Sequence, residues 1–216
     1  VEQRKNEEYE KLLSQARFLA LQSQINPHFL FNTLNSINRT VMLGRREQAL
    51  TMLDSLSVLL RYNLADAQMP ALLGEDLGIT EEYLKIQKMR FSSRLNVDVR
   101  HDRKLEQAVT LPRFTLQPLV ENAVIHGLEP KEEGGTLILD VRKTGNYIRI
   151  RICDNGMGIE KERLEKIRRR LSEKQPERIG VWNIWQRLSL YTGRDDSLKI
   201  MSKKGAGTIV SIYLHR

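Results

Sequence analysis

Near residue 95 the apolar positions change their spacing, and the change divides the chain into two kinds of element. Upstream, apolar residues recur at helical intervals. Residues 2–43 hold no glycine, and Pro27 is their only proline. Residues 46–66 (REQALTMLDSLSVLLRYNLAD) put Leu50, Leu53, Ser57, Leu60 and Leu64 at heptad spacing, which predicts one seam of a helical bundle. The LGR turn at 43–45 is short, and short turns join antiparallel neighbours. A third helix is predicted over about 75–91, after the break at MPALLG. Two antiparallel helices cannot close a bundle core, so dimerisation into four helices is expected to bury both seams.

Downstream, polar and apolar residues alternate. LNVDVRH, TLILDVRK, YIRIRICD, SLKIMSK and TIVSIYLH read as five strands, with hairpins at TGN and KKGAG. Helices are predicted between them at about 112–128, 160–173 and 180–192. This order predicts an α+β chain: a helical hairpin (1–70), then an α/β sandwich with a mixed five-stranded sheet (71–216).

Composition changes this picture little. The 216 residues are 40% hydrophobic and 29% charged, an ordinary globular balance. The chain starts at Val1 instead of Met, so a piece of a longer protein is expected. A single cysteine, Cys153, excludes an intrachain disulfide and favours a reducing compartment. The net charge of +8 is dispersed, apart from KIRRR at 166–170, and aromatics are 6%. A solvated basic surface is therefore expected, with no nucleic-acid partner.

The candidate chemistry begins at QINPHFLFNTLNSI (24–37). At 100° per residue, Leu30, Leu34, Ile37 and Val41 share one face. His28, Asn32, Asn35 and Arg39 fall opposite, with His28 and Asn32 one turn apart. Before Pro27 the stripe Phe18, Leu21, Ile25 lies on the His28 side, so a bend at the proline is expected. An exposed imidazole is a good nucleophile near neutral pH.

Four segments of the second half suit a phosphate-bearing ligand. In LQPLVENAVIHG (116–127), Glu121, Asn122 and His126 interrupt an apolar run, and the Asn122 amide is a hard oxygen ligand for Mg²⁺. In CDNGMGI (153–159), Asp154 ends a strand as a hydrogen-bond acceptor, with Gly156 and Gly158 permitting close backbone approach. In ERIGVWNIWQRL (177–188), Gly180 opens a helix whose N-terminal amides suit phosphate. In GAGTIVSIYL (205–214), Thr208 follows a glycine turn. Between the second and third runs a charged stretch, with Leu164, Ile167 and Leu171 as its apolar positions, reads as a lid.

The order of these pieces resembles the N, G1 and G2 boxes of the Bergerat ATP-binding fold. NPHFLFNTLNSI resembles the phosphoacceptor segment of LytS/YesM-type bacterial sensor histidine kinases, from about residue 16 to the end. The resemblance implies ATP and Mg²⁺ as cofactors, with His28 phosphorylated and Asn32 orienting the imidazole or a water. It implies that Asn122 coordinates Mg²⁺, that Asp154 reads adenine, and that Gly156, Gly158 and Gly180 make room for the nucleotide. His126, Asn183 and Thr208 join the nucleotide-binding set. It also implies a homodimer, a response regulator receiver domain as partner, and a cytoplasmic kinase portion of a membrane-anchored sensor.

Three departures bear on the chemistry. Ile125 stands where many members carry a phosphate-binding Lys. Arg178 replaces a glycine of the G2 run. Phe29, typical of this subfamily, follows His28 where other histidine kinases have an acid, so Glu121 becomes the candidate base. Hydrolysing members of the superfamily place a Glu where this chain has Pro118, which favours holding ATP over hydrolysing it. A non-catalytic, ATP-gated dimeric scaffold is the alternative reading.

Overall fold

The alternation after residue 95 becomes a five-stranded sheet in the computed structural model, which describes residues 27–63, 69–174 and 180–215. The chain divides into two compact units, Val1–Asp66 and Ala67–Arg216.

The first unit contains α1 (Pro27–Met42) and α2 (Arg46–Asn63), joined by a tight turn with Gly44 at φ 71°. Their mutual face differs from the predicted one. Phe29, Thr33 and Ile37 are buried on α1, and Ala49, Met52, Ser55, Leu56 and Leu59 on α2. Leu34, Val41, Leu50 and Leu53, expected in the core, are exposed in the single chain. Small Thr33, Ala49 and Ser55 lie on the buried side, where they let the backbones approach. The leucines flank this contact on the outside. Leu64, Phe18, Leu21, Ile25 and the predicted bend before Pro27 lie outside the described residues.

The second unit begins with β1 (Pro70–Leu72), inside the stretch read as a break. It pairs antiparallel with β3 (Thr110–Pro112). Helix α3 (Leu73–Phe91) follows, then a 3-10 turn (Ser92–Arg94), β2 (Leu95–His101) and α4 (Arg103–Ala108), capped by the Asp102 carboxylate on Lys104 N. Next come α5 (Leu116–Asn122), β4 (Gly135–Thr144), β5 (Tyr147–Asp154), α6 (Lys161–Ser172), α7 (Gly180–Thr192), β6 (Leu198–Lys203) and β7 (Gly207–His215).

The large sheet has the order β2-β4-β5-β7-β6. Strands β2 and β4 run parallel and the other neighbours antiparallel, so the sheet is mixed as predicted. Its inner face carries Leu137, Leu139, Val141, Ile148, Ile150, Ile152, Ile200, Ile212 and Leu214, all buried. Each fully buried aliphatic side chain contributes about 1.5–3 kcal/mol. Periodicity missed α4, β1 and β3, which are too short to show a clear pattern, and the helix expected from about 112 starts at Leu116.

Candidate nucleotide site and phosphoacceptor helix

Helix α5 is set in place by an acid from another helix. Asp76 of α3 is fully buried, and its carboxylate accepts from Phe114 N at 3.0 Å, Thr115 N at 3.1 Å and Leu116 N at 2.9 Å. These amides precede or open the helix and would otherwise lack partners. Arg187 of α7 donates to the carbonyls of Arg113 and Phe114 in the same loop, at 2.6 and 2.7 Å.

After Asn122 the helix widens into a π turn, Ala123–Leu128, a local form common at functional sites. Arg94 holds the far end by donating to the carbonyls of Glu129, Lys131 and Glu132, and Arg90 pairs with Glu129.

The π turn ends on the loop after β5. Gly127 lies against the Asp154 carboxylate, and a Cβ there would stand 2.7 Å from Oδ1. Met157 N donates to Gly127 O at 2.9 Å, and a Cβ on Gly156 would collide with that carbonyl. The two segments therefore cross glycine against glycine. Gly158 has φ 65°, which only glycine adopts readily, and a Cβ there would strike Lys203 O.

Asp154 is 8% exposed. Burial pushes its carboxyl above the usual carboxylate range, while the amides of Gly156 and Thr208 pull it back. Thr208 sits opposite Asp154 in the β5–β7 register, and its hydroxyl lies 2.9 Å from Ser202 Oγ. Ser202 accepts from Ile159 N and donates to Gly207 O, tying the glycine turn to the β6–β7 hairpin.

These elements enclose a cavity of about 480 Å³. Asn122 and His126 line it from the α5 end, Asp154 and Gly158 from the glycine turn, Gly180 from the start of α7, and Thr208 from β7. The apolar walls are Leu119, Ile152, Ile159, Ile167, Val181, Ile200 and Val210. The apolar slot with a buried carboxylate at its side suits a flat base with an exocyclic amine. A Cβ on Gly180 would stand 3.9 Å from Asn122 Nδ2, so the amide and the helix start share one corner.

Helix α6 forms one side of the cavity, held by buried Leu164 and by Arg168, which donates to Ile200 O. Its Arg163 lines the cavity with a positive charge. Sequence reasoning singled out none of Gly127, Ser202 and Arg163. The adjacent His126-Gly127 pair was the available signal for the first.

Other expected residues stand elsewhere. Asn183 is exposed on α7 and does not line the cavity. Glu121 is also absent from the lining. It faces Tyr83 of α3, whose hydroxyl is pushed well above its ordinary range by burial and then by the Glu121 charge. Arg178 lies outside the described residues.

In the first unit His28 is exposed on α1, and Asn32 Nδ2 lies 3.1 Å from its Nε2 and 3.3 Å from its Nδ1. The amide meets the ring from one helical turn away, as the spacing predicts.

Residues 16–95 match the family model described as histidine kinase. Residues 108–216 match that of the histidine kinase-, DNA gyrase B- and HSP90-like ATPases. The chain is 34% identical over 209 residues to the sensor histidine kinase YesM of Bacillus subtilis (strain 168), covering 97% of this chain and 35% of that protein. It is 34% identical over 214 residues to the sensor protein LytS of Oceanobacillus iheyensis, covering 97% and 36%. Among solved structures, it is similar to the histidine kinase domain from the Erythrobacter litoralis EL346 blue-light activated histidine kinase. The TM-score is 0.47 and the identity 17%, over 92% of this chain and 93% of that one. The chain spans about a third of the length of the curated relatives YesM and LytS.

The match over residues 108–216 defines the class of the second unit, an ATP-binding domain. With the match over 16–95, the chain belongs to the sensor histidine kinase family.

Proposed function

We propose that this chain is the kinase portion of a two-component sensor, which phosphorylates itself on His28 and passes the phosphoryl group to an aspartate of a receiver domain. A neutral imidazole nitrogen attacks the γ-phosphorus of ATP in line. An N–P bond forms, the bond to the β,γ-bridging oxygen breaks, ADP leaves, and the ring loses its N–H proton. With little covalent work for the protein, positioning and charge neutralisation carry the catalysis.

The observation that carries this reading is the pairing of an exposed imidazole, contacted by Asn32, with a cavity lined by Asn122, Asp154, Gly158, Gly180 and Thr208 in one chain. Asn32 orients the ring. With its amide turned so that the oxygen faces the ring, it accepts one N–H and leaves the other nitrogen's lone pair for attack. Asp154 accepts from the adenine amino group, and the α7 start with Arg163 faces the phosphates.

Asn122 suits Mg²⁺, which takes one or two protein oxygens and completes its shell with phosphate and water. Bound there, the ion would neutralise charge on the leaving diphosphate.

Dimerisation through the exposed Leu34, Val41, Leu50 and Leu53 face would complete a four-helix bundle. The relatives YesM and LytS are sensor proteins, and on this reading the whole protein is membrane-anchored with this portion on the cytoplasmic side. No helix among the described residues is long and apolar enough to cross a membrane.

The test is incubation with Mg²⁺ and ATP labelled at the γ-phosphate, on the parent and on His28→Gln. Acid-labile, base-stable label that is absent from the variant is the expected result. Tight ATP binding without label would select the nucleotide-gated scaffold instead.

A further inference from the structure

The sheet's second face lies away from the helices, and its side chains form rows across the strands. One row is apolar: Ile138 on β4, Cys153 on β5, Ile209 on β7 and Met201 on β6 are successive cross-strand neighbours. They line an open groove, and Met201 is 56% exposed. Beside it runs a basic band. Arg142 on β4 is directly opposite Arg149 on β5, which is opposite Tyr213 on β7. Arg151 follows two residues along the same face, and Lys199 stands 5.3 Å over the Tyr213 ring.

The acids on this face are already engaged. Arg100 pairs with Asp98, while Arg142 Nε and Arg151 Nη2 reach the buried Asp140 at 2.7 and 3.4 Å. Arg149 has no carboxylate partner among the described residues, and its buried Nε has no acceptor. Like charges directly opposite on neighbouring strands are destabilising, and a buried donor without an acceptor costs stability. Solvation of a polar sheet face explains neither feature.

We propose that this face docks an acidic, amphipathic helix of a partner protein, its carboxylates on Arg149 and Arg142 and its apolar side on the row from Ile138 to Met201. Charge complementarity selects the acidic partner, and the adjoining apolar row selects a segment with one greasy side over a small anion. The proposal does not rest on the kinase reading: the row from Ile138 to Met201 lies on the other face of the sheet from the cavity-lining Ile152, Ile200 and Val210, and the two hollows meet only at the strand ends, where both touch Asp154 and Thr208.

The probe is a fluorescein-labelled helical peptide of about 18 residues, five turns, with Glu along one face and Leu along the other. Its anisotropy is titrated with the full chain. Saturable binding is expected, weakened about tenfold or more by Arg149→Glu and less by Arg149→Gln, as for a buried charge pair. Arg169→Glu on α6 is expected to change nothing, and Ile138→Ser to weaken binding. Melting curves and ATP binding check that each variant is folded.

Equal affinity for a peptide with Gln in place of Glu would overturn the proposal, as would indifference to Arg149→Glu in a folded protein. Preference for a single-stranded oligonucleotide or for phosphatidylserine vesicles, lost with Arg149→Glu, would assign the face to another partner and also overturn it.

Discussion

Gly127 and Asp154 are packed so closely that a single methyl group at 127 would stand 2.7 Å from the Asp154 Oδ1. The end of the π turn thereby fixes the carboxylate assigned to the base. Gly127→Ala is predicted to push Asp154 aside and weaken ATP binding about tenfold or more, while costing the fold about 1–3 kcal/mol from overpacking. Calorimetric titration with ATP and a urea melt separate the two effects. Unchanged affinity would show that Asp154 does not touch the base.

Asp154 also makes a prediction about pH. Burial raises its folded-state carboxyl above the unfolded value. Its contribution to stability is thus fully present below the unfolded pKa and is lost as pH rises through the folded one. Asp154→Asn, which is never charged, is predicted to melt no lower than the parent at neutral pH while losing ATP binding. The melting difference is predicted to shrink on acidification, as the parent carboxyl takes up its proton. A large drop in melting temperature at neutral pH would contradict this.

Asp76→Ala removes the acceptor for three backbone amides at the start of α5. Buried amides left unsatisfied cost about 1–3 kcal/mol each, so a loss of about 3–5 kcal/mol is predicted after partial relaxation. The urea midpoint measures it. Asp76→Asn keeps an oxygen acceptor and is predicted to lose less.

Asn32→Ala is predicted to lower the rate of phosphohistidine formation by about ten- to a hundredfold without altering ATP affinity, because the amide orients only the nucleophile. Single-turnover labelling against equilibrium binding reads the split. Equal losses in both would place Asn32 in a structural role.

Leu34 and Leu53 are 46% and 42% exposed in the single chain. The double variant Leu34→Ser/Leu53→Ser is predicted to shift sedimentation from dimer to monomer, with each chain keeping its ATP affinity. A dimer of unchanged strength would mean that another surface joins the copies.

The strands were legible because each alternates cleanly over six or more residues, as in YIRIRICD. The His28–Asn32 pair was legible because a four-residue spacing fixes their contact whatever surrounds the helix. The buried face of the hairpin was not. Thr33, Ala49 and Ser55 read as neutral or polar, yet small side chains are what a close helix pair needs, whereas the large leucines that dominate the pattern stand outside it. The nucleotide cavity was half legible. Asp154 and Asn122 announce themselves by interrupting apolar runs, but Gly127 and Ser202 act through contacts between distant segments. Glu121 does not line the cavity although its neighbour Asn122 does, because adjacent residues on a helix point about 100° apart.

The hydrogen bonds from Asp76 to residues 114–116 span 38 to 40 positions of the chain, whereas the ATPase family match begins only at residue 108. The first turn of α5 is therefore completed by a residue that lies before the ATPase match, within the stretch matching the histidine kinase model. A fragment cut at the edge of the family match would carry every glycine and the asparagine and still lack the peg on which they hang. A piece that keeps this peg must start before Asp76, and one that also keeps the β1–β3 pair must start before Pro70.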